Sequence, residues 1–385
     1  MSADMLISIA FYMLIVMVTI RLAGKVKTKA YEQAEDRISQ YTADGFRTRR
    51  SFQNRLYLIG IFGILFLCSA LRFDIGNDYK QYTQTAHEAF VGGYVVTEAG
   101  FNWLVRILYT LSGGEYYELV FAVFAFVTLI LFLKAFYEQS VDFAWTYFLF
   151  MTLGLYFQTY NTMRYYLALA IALYAMRNVL NRDWIKFVFW ILIAALFHKS
   201  VLLTIPVYWI ASYTWKKWMI FVGLAFSAGC FLGKSVVLKV ALLLYPSYEN
   251  TVYLEGGTNP VSIVRGLLVI GLYLWYRKRY LGEKEDKELV FYAQLNLLSV
   301  VVCIFFSFLP VVTRIAYYFS VSQLLMIPRI LHGITQEHVR KKVTLIVAIT
   351  CVVFFVIFLA GADKPGVGLL PYRSWLFETE RYLYK

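Results

Sequence analysis

The chain has 385 residues, of which 60% are hydrophobic and only 16% charged, whereas a soluble globular domain carries about 25% charged residues. That deficit, with apolar runs of roughly 20 residues, excludes an ordinary soluble domain and places the chain in a membrane. The net charge of +13 does not point to nucleic acid, because Lys and Arg lie between the apolar runs and not on one soluble face; the lipid bilayer, with its anionic headgroups, is the expected partner.

The first apolar run, near residues 5–22, has no basic stretch before it and no small-residue cleavage site, so it is expected to be a membrane span and not a removable signal. A basic loop follows over residues 23–55, then a second run at 56–72. Residues 73–114 form a longer polar segment. In "NDYKQYTQTAHEAFVGG", Asn77 or Asp78 can cap an amphipathic helix whose Tyr79, Tyr82, Ala86, Ala89 and Phe90 share one side, with Gly92 and Gly93 ending it. Further runs lie near 115–134, 143–161, 163–181, 184–198, 199–213 and 217–233. The segment 234–260 reads as an interfacial helix of about ten residues ending before Pro246. Runs near 261–277, 289–310, 313–331 and 343–361 precede a tail, 362–385. The expectation is an all-α polytopic membrane protein of about twelve transmembrane helices, a single integral membrane domain spanning residues 1–385.

Most Lys and Arg residues fall on one set of connections, among them the 23–55 loop. That set should be cytoplasmic, which puts both termini outside. The 73–114 segment, the 234–260 segment and the tail then share the outer face. Cys68, Cys230, Cys303 and Cys351 all lie inside apolar runs without a CxxC spacing and read as small buried hydrophobes. Aromatic residues reach 19%; Tyr and Trp suit both the headgroup zone and sugar-binding surfaces.

The outer face gathers the residues with chemistry. Arg164 stands at the start of an otherwise uncharged run, where charge is costly and marks a functional candidate; the alternative is an arginine that snorkels to the interface or pairs with a carboxylate. Arg314 is placed similarly at the start of a late run. Two such arginines could clamp a diphosphate, since guanidinium stays charged and bonds phosphate oxygens in a fork. His198 could be a general base, or an interfacial histidine bonded to a backbone carbonyl. Asp74, Asp78 and Glu98 could take a proton from a sugar hydroxyl or bind hydroxyls, against the alternative of helix capping and solvated loop charge. No DxD motif, P-loop, GxSxG or HExxH occurs, and the acids and histidines show no metal-ligand spacing, so no metal and no cofactor is expected.

Six stretches, "RFDIGNDYKQY", "EAGFNWLVRIL", "YNTMRYYLALAIAL", "ALFHKSVLLTIPVYWI", "TRIAYYF" and "LLPYRSW", occur in the order seen in the EpsG family of polysaccharide polymerases. The resemblance covers residues about 55–375. It implies a GT-C-like glycosyltransferase of the bacterial inner membrane, working at the outer or periplasmic face. Such an enzyme joins undecaprenyl-diphosphate-linked oligosaccharide repeat units, moving the growing chain from its lipid diphosphate to a hydroxyl of the next unit. By motif position it assigns Arg72, Asp74, Asp78 and Tyr82 to the first motif and Glu98 to the second. Arg164, His198 and Arg314 belong to the later motifs, and Tyr372 to the last. Asp74, Asp78 and His198 are the expected catalytic residues; Arg72, Tyr82, Glu98, Arg164, Arg314 and Tyr372 are the expected substrate-binding ones. Chain-length regulator and flippase proteins are the partners implied. One departure is Tyr165, where such polymerases often carry Gln. The rival readings are a transporter or flippase of lipid-linked oligosaccharides, which a repeat relating the two halves would favour and which lacks one here, and an O-antigen ligase. A membrane O-acyltransferase is a more distant third.

Overall fold

The structure is a computed structural model that describes residues 3–38, 49–244, 257–282, 285–310, 312–364 and 366–378. Among the described residues it is helical throughout, with one isolated antiparallel bridge between Arg72 and Ser374. Among the described residues five helices are long and apolar enough to cross a membrane: Ala3–Ala23, Arg50–Ala70, Tyr117–Gln139, Lys287–Phe305 and Glu337–Ala360. The last gathers its charge in its first turns, where Lys341 bonds Glu337 at 2.8 Å, and is apolar from there on. A sixth candidate is the pair Lys217–Leu232 and Lys234–Leu243, bent by 86°. The chain is a multi-pass helical membrane protein.

The expected twelve spans are not all single helices of spanning length. The 143–161 run breaks after Thr152, where Gly154 takes φ +74°, and resumes as the short helix Leu155–Gln158. The 199–213 run opens as a 3-10 turn, Lys199–Leu203, before Thr204–Ala211. The 313–331 run divides into Val312–Ser320 and Gln323–Gly333, with Pro328 inside the second. The 163–181 run is one helix, Met163–Leu180, buried along most of its length. Hydropathy alone does not separate a helix sheathed by protein from one facing lipid.

The chain clusters into two compact units. The first comprises Met1–Tyr174, Leu196–His198 and Gln336–Lys385. In it the 23–55 segment is not all loop. It carries the helix Lys29–Ile38, tied down by Asn54, whose amide donates to the Lys27 carbonyl at 3.1 Å and to Glu32 at 2.8 Å. Hydrogen bonds from Tyr137, Ser51 and Asn54 outweigh the upward push of burial and hold Glu32 below the usual carboxylate range. The 73–114 segment holds two helices, Tyr79–Val91 and Ala99–Ser112. On the former, Tyr79, Tyr82, Ala86 and Ala89 are buried as the pattern predicts, whereas Phe90 is half-exposed with its ring against Tyr109. Gly92 ends that helix at φ +86°.

The second unit comprises Ala175–Ala195 and Lys199–Thr335. Its interior carries a polar chain. Asn296, fully buried, donates to the Gly266 carbonyl at 3.0 Å and accepts from Gln323 at 2.5 Å, while the Ser299 hydroxyl donates to the Ala316 carbonyl at 3.0 Å. Arg329 bonds Asp286 at 2.6 Å and Glu288 at 2.5 Å. A helix, Lys234–Leu244, stands where the interfacial one is expected. Residues 39–48 of the basic loop, 245–256 of the second outer segment and 379–385 of the tail lie outside the described residues.

Candidate functional site

The site grows from the end of the helix that finishes at Ala70. There the backbone straightens and takes the tail as a partner, because backbone groups leaving a helix need new bonds. Phe73 donates its amide to the Arg373 carbonyl at 3.0 Å, and Trp375 donates to Leu71 at 3.1 Å. Gly76 donates to Gly368 at 2.8 Å. Side chains lock the seam: the Tyr372 hydroxyl donates to the Cys68 carbonyl at 3.0 Å, and the Trp375 indole to Ala70 at 3.2 Å. The Tyr372 amide donates to the Ser8 hydroxyl at 2.9 Å. Gly76 is required where it stands. Its φ is +99°, and a Cβ would lie 2.3 Å from the Tyr160 carbonyl oxygen. Beside it, the Asn77 amide donates to the Asn161 side chain at 2.8 Å.

The acids of the first motif sit on the exposed side of this seam. Asp74 takes φ +50° and its carboxylate, about a quarter exposed, pairs with Lys80 at 3.4 Å. Asp78 occupies the N-cap position of Tyr79–Val91, yet its side chain makes no capping bond. Its carboxylate instead accepts from Asn77 at 3.0 Å. Capping is therefore not what the Asp78 carboxylate does here. Burial pushes the Tyr79 and Tyr372 phenols far above their usual range, against the pull of the Arg72 charge, so neither is a base near neutral pH.

Arg72 points the other way, into the protein, and is 3% exposed. Its guanidinium lies between the rings of Phe121 and Tyr160, at 4.9 and 5.0 Å, and bonds the Ser69 carbonyl at 2.6 Å. Arg164 opens the helix Met163–Leu180 and donates through Nη1 to the Glu98 carboxylate. Its guanidinium stands over the rings of Tyr82 and Phe101, at 5.6 and 5.4 Å. Glu98 is itself placed by the close approach of Gly100 to Leu196. The Gly100 amide donates to the Leu196 carbonyl at 2.9 Å, and a Cβ there would stand 2.6 Å from that oxygen. Two residues beyond Leu196, the His198 ring meets the edge of Tyr165 at 5.3 Å. The EpsG family model matches residues 55–374.

The chain belongs to the EpsG family. EpsG is a family of polysaccharide polymerases. No curated relative and no solved structure matches the chain significantly. The match begins at the head of the second membrane helix and ends at Ser374, the residue opposite Arg72, so it includes both sides of the seam.

The EpsG-like stretches fall as follows. The first, second, third and last, and the Leu196–His198 part of the fourth, all lie in the first unit. That unit brings together Arg72, Asp74, Asp78, Tyr82, Glu98, Arg164, His198 and Tyr372. Arg314, on Val312–Ser320, is half-buried in the second unit. The position where the family often has Gln is filled by Tyr165, 1% exposed and packed on His198. Sequence reasoning missed Asn161 and Lys80 as partners of the first motif. It also passed over Arg265, a half-buried arginine of Pro260–Tyr276 whose Nε has no acceptor. A charge five residues into an apolar run was the available signal.

Proposed function

We propose that this EpsG-family chain is a glycosyltransferase that polymerises undecaprenyl-diphosphate-linked oligosaccharide repeat units at the outer face of a bacterial inner membrane. The observation that carries the reading is the Glu98–Arg164 pair, with the Arg164 guanidinium over Tyr82 and Phe101 and Tyr82 on the helix that Asp78 precedes. A fixed cation to meet the leaving charge and partly exposed carboxylates to take a proton are two things such a transfer needs.

The reaction balances without a nucleotide. A hydroxyl oxygen of the acceptor sugar attacks the anomeric carbon of the donor, and the bond from that carbon to the diphosphate oxygen breaks. The hydroxyl proton passes to a carboxylate, Asp74 or Asp78, with His198 as the alternative base. The lipid diphosphate leaves with the bonding pair, and arginine meets its charge with little solvent rearrangement. Arg164 takes that role in the first unit; Arg314 is assigned a phosphate contact of its own in the second. Tyr82 and Glu98 complete the substrate wall. Metal independence is part of the proposal. So are a GT-C-like arrangement in which the shorter helices complete up to twelve crossings, outer placement of both termini, and work alongside flippase and chain-length regulator proteins.

Purified protein supplied with lipid-linked repeat units in detergent should produce a ladder of products. Transfer only to a lipid core would indicate a ligase, and lipid-linked units left chemically unchanged a transporter.

A further inference from the structure

Arg72 carries a positive charge into the interior of the first unit, and among the described residues no carboxylate pairs with it. Among the described residues its hydrogen-bond acceptors are two oxygens of Ser69, the carbonyl at 2.6 Å and the hydroxyl at 3.2 Å, both reached through Nη1. Nε is buried with no acceptor. The flanking rings of Phe121 and Tyr160 attract the cation by their faces, yet they supply no net negative charge. Guanidinium does not shed its proton in a protein, and a buried charge calls for a partner of opposite sign.

Arg72 also lines a small cavity whose other polar walls are Ser69, Thr128 and Thr159. The space open to the centre of a water-sized sphere is about 10 Å³, which leaves room for a single compact occupant such as one water or one small ion. The Ser69 hydroxyl accepts from Arg72 and keeps its own proton to donate. Thr128 is buried at 3% exposure, and Thr159 is already committed, donating to the Tyr156 carbonyl at 2.6 Å. Phe121, Phe124, Ala125, Leu129 and Met163 close the rest. The lining offers hydroxyl and guanidinium donors and no carboxylate.

We propose that this cavity binds one small monovalent anion of the halide class, held by Arg72 with the hydroxyls of Ser69 and Thr128. A diphosphate or a sugar exceeds the space. A water molecule fits but leaves the charge unmatched. The site lies beneath the layer that seats Arg164: Phe124 in the cavity wall meets Phe101 at 5.8 Å, and Phe101 is one of the rings under the Arg164 guanidinium. The proposal stands apart from the polymerase reading and is tested without turnover.

Full-length protein in detergent is melted in sodium chloride, sodium bromide and sodium gluconate at equal ionic strength. Chloride and bromide should raise the melting temperature saturably, by a few degrees over gluconate, because an anion that binds only the folded chain stabilises it. Thr128→Val keeps the side-chain shape and should move half-saturation to higher halide. Arg72→Met should abolish the response, and since it also removes a core charge, the Thr128 variant carries the test where that protein does not fold. Bromide-soaked crystals should show anomalous density beside Arg72. Equal melting in all three salts, a halide response unchanged in Thr128→Val, or an ordered water without anomalous signal would each overturn the site.

Discussion

The carboxylate of Glu98 holds the guanidinium of Arg164 across 66 residues of sequence, in a pair whose side chains are 14% and 19% exposed. A hydrogen bond to a charged group contributes about 1.5–3 kcal/mol, but its larger consequence is orientation. If Arg164 meets the leaving diphosphate, its plane must be fixed before the bond breaks. Glu98→Gln keeps the size and loses the charge; Arg164→Lys keeps the charge and loses the fork. Each should insert normally and lower polymer formation on the order of 10²-fold, the cost of misplacing a catalytic contact. The double variant should be little worse than Arg164→Lys alone, since both act through one contact. Full ladder formation by both single variants would return the pair to a structural anchor.

Much of this site is legible in the order of residues alone. The charged residues at the ends of apolar runs stand out because hydrocarbon tolerates so few of them, and pairing with a carboxylate is one of the alternatives that Arg164 presents. The seam between the first and last motifs is not legible. "GADKPGVGLLPYRSW" has neither helical nor strand periodicity, and its partners lie 300 residues upstream. Nor can periodicity show that Arg72 turns inward while Asp74, two residues on, turns outward, because that depends on the left-handed backbone at Asp74. The broken helices escape for a related reason: hydropathy registers Gly154 weakly, although the backbone there takes a positive φ that ends a helix.

Asp74 and Asp78 separate catalysis from stability. Loss of a helix cap costs about 0.5–2 kcal/mol, but Asp78 makes no side-chain cap, so Asp78→Asn should leave the melting temperature within about a degree of wild type. A lost base should depress turnover by about 10²–10⁴-fold. We expect that drop for at least one of Asp74→Asn and Asp78→Asn in the ladder assay. Near-normal polymerisation by both removes the first motif from the acceptor side.

Gly76 and Gly92 form a matched comparison. Both have positive φ, +99° and +86°, but a Cβ at Gly92 meets nothing within 4 Å while one at Gly76 lies 2.3 Å from a backbone oxygen. Gly92→Ala should therefore cost only the backbone term, about 1–2 kcal/mol. Gly76→Ala should cost clearly more and lower expression. Thermal melts of the two variants in the same detergent check the order, and equal losses would mean that the loop can part from Tyr160.

Orientation is tested from residues well exposed on opposite expected faces. Tyr94, 88% exposed, lies in the segment expected outside. The Lys341 side chain, 75% exposed, lies in a connection expected inside. In a background with the four native cysteines replaced, Tyr94→Cys in intact cells should react with a membrane-impermeant thiol reagent, and Lys341→Cys only after the membrane is opened. The expectation follows from the excess of Lys and Arg on the Lys341 side. The opposite pattern would place Asp74, Glu98 and Arg164 at the cytoplasmic face. A lipid-linked repeat unit would then have to react before it is flipped, and the outer-face polymerase would give way to an enzyme acting on the inner leaflet.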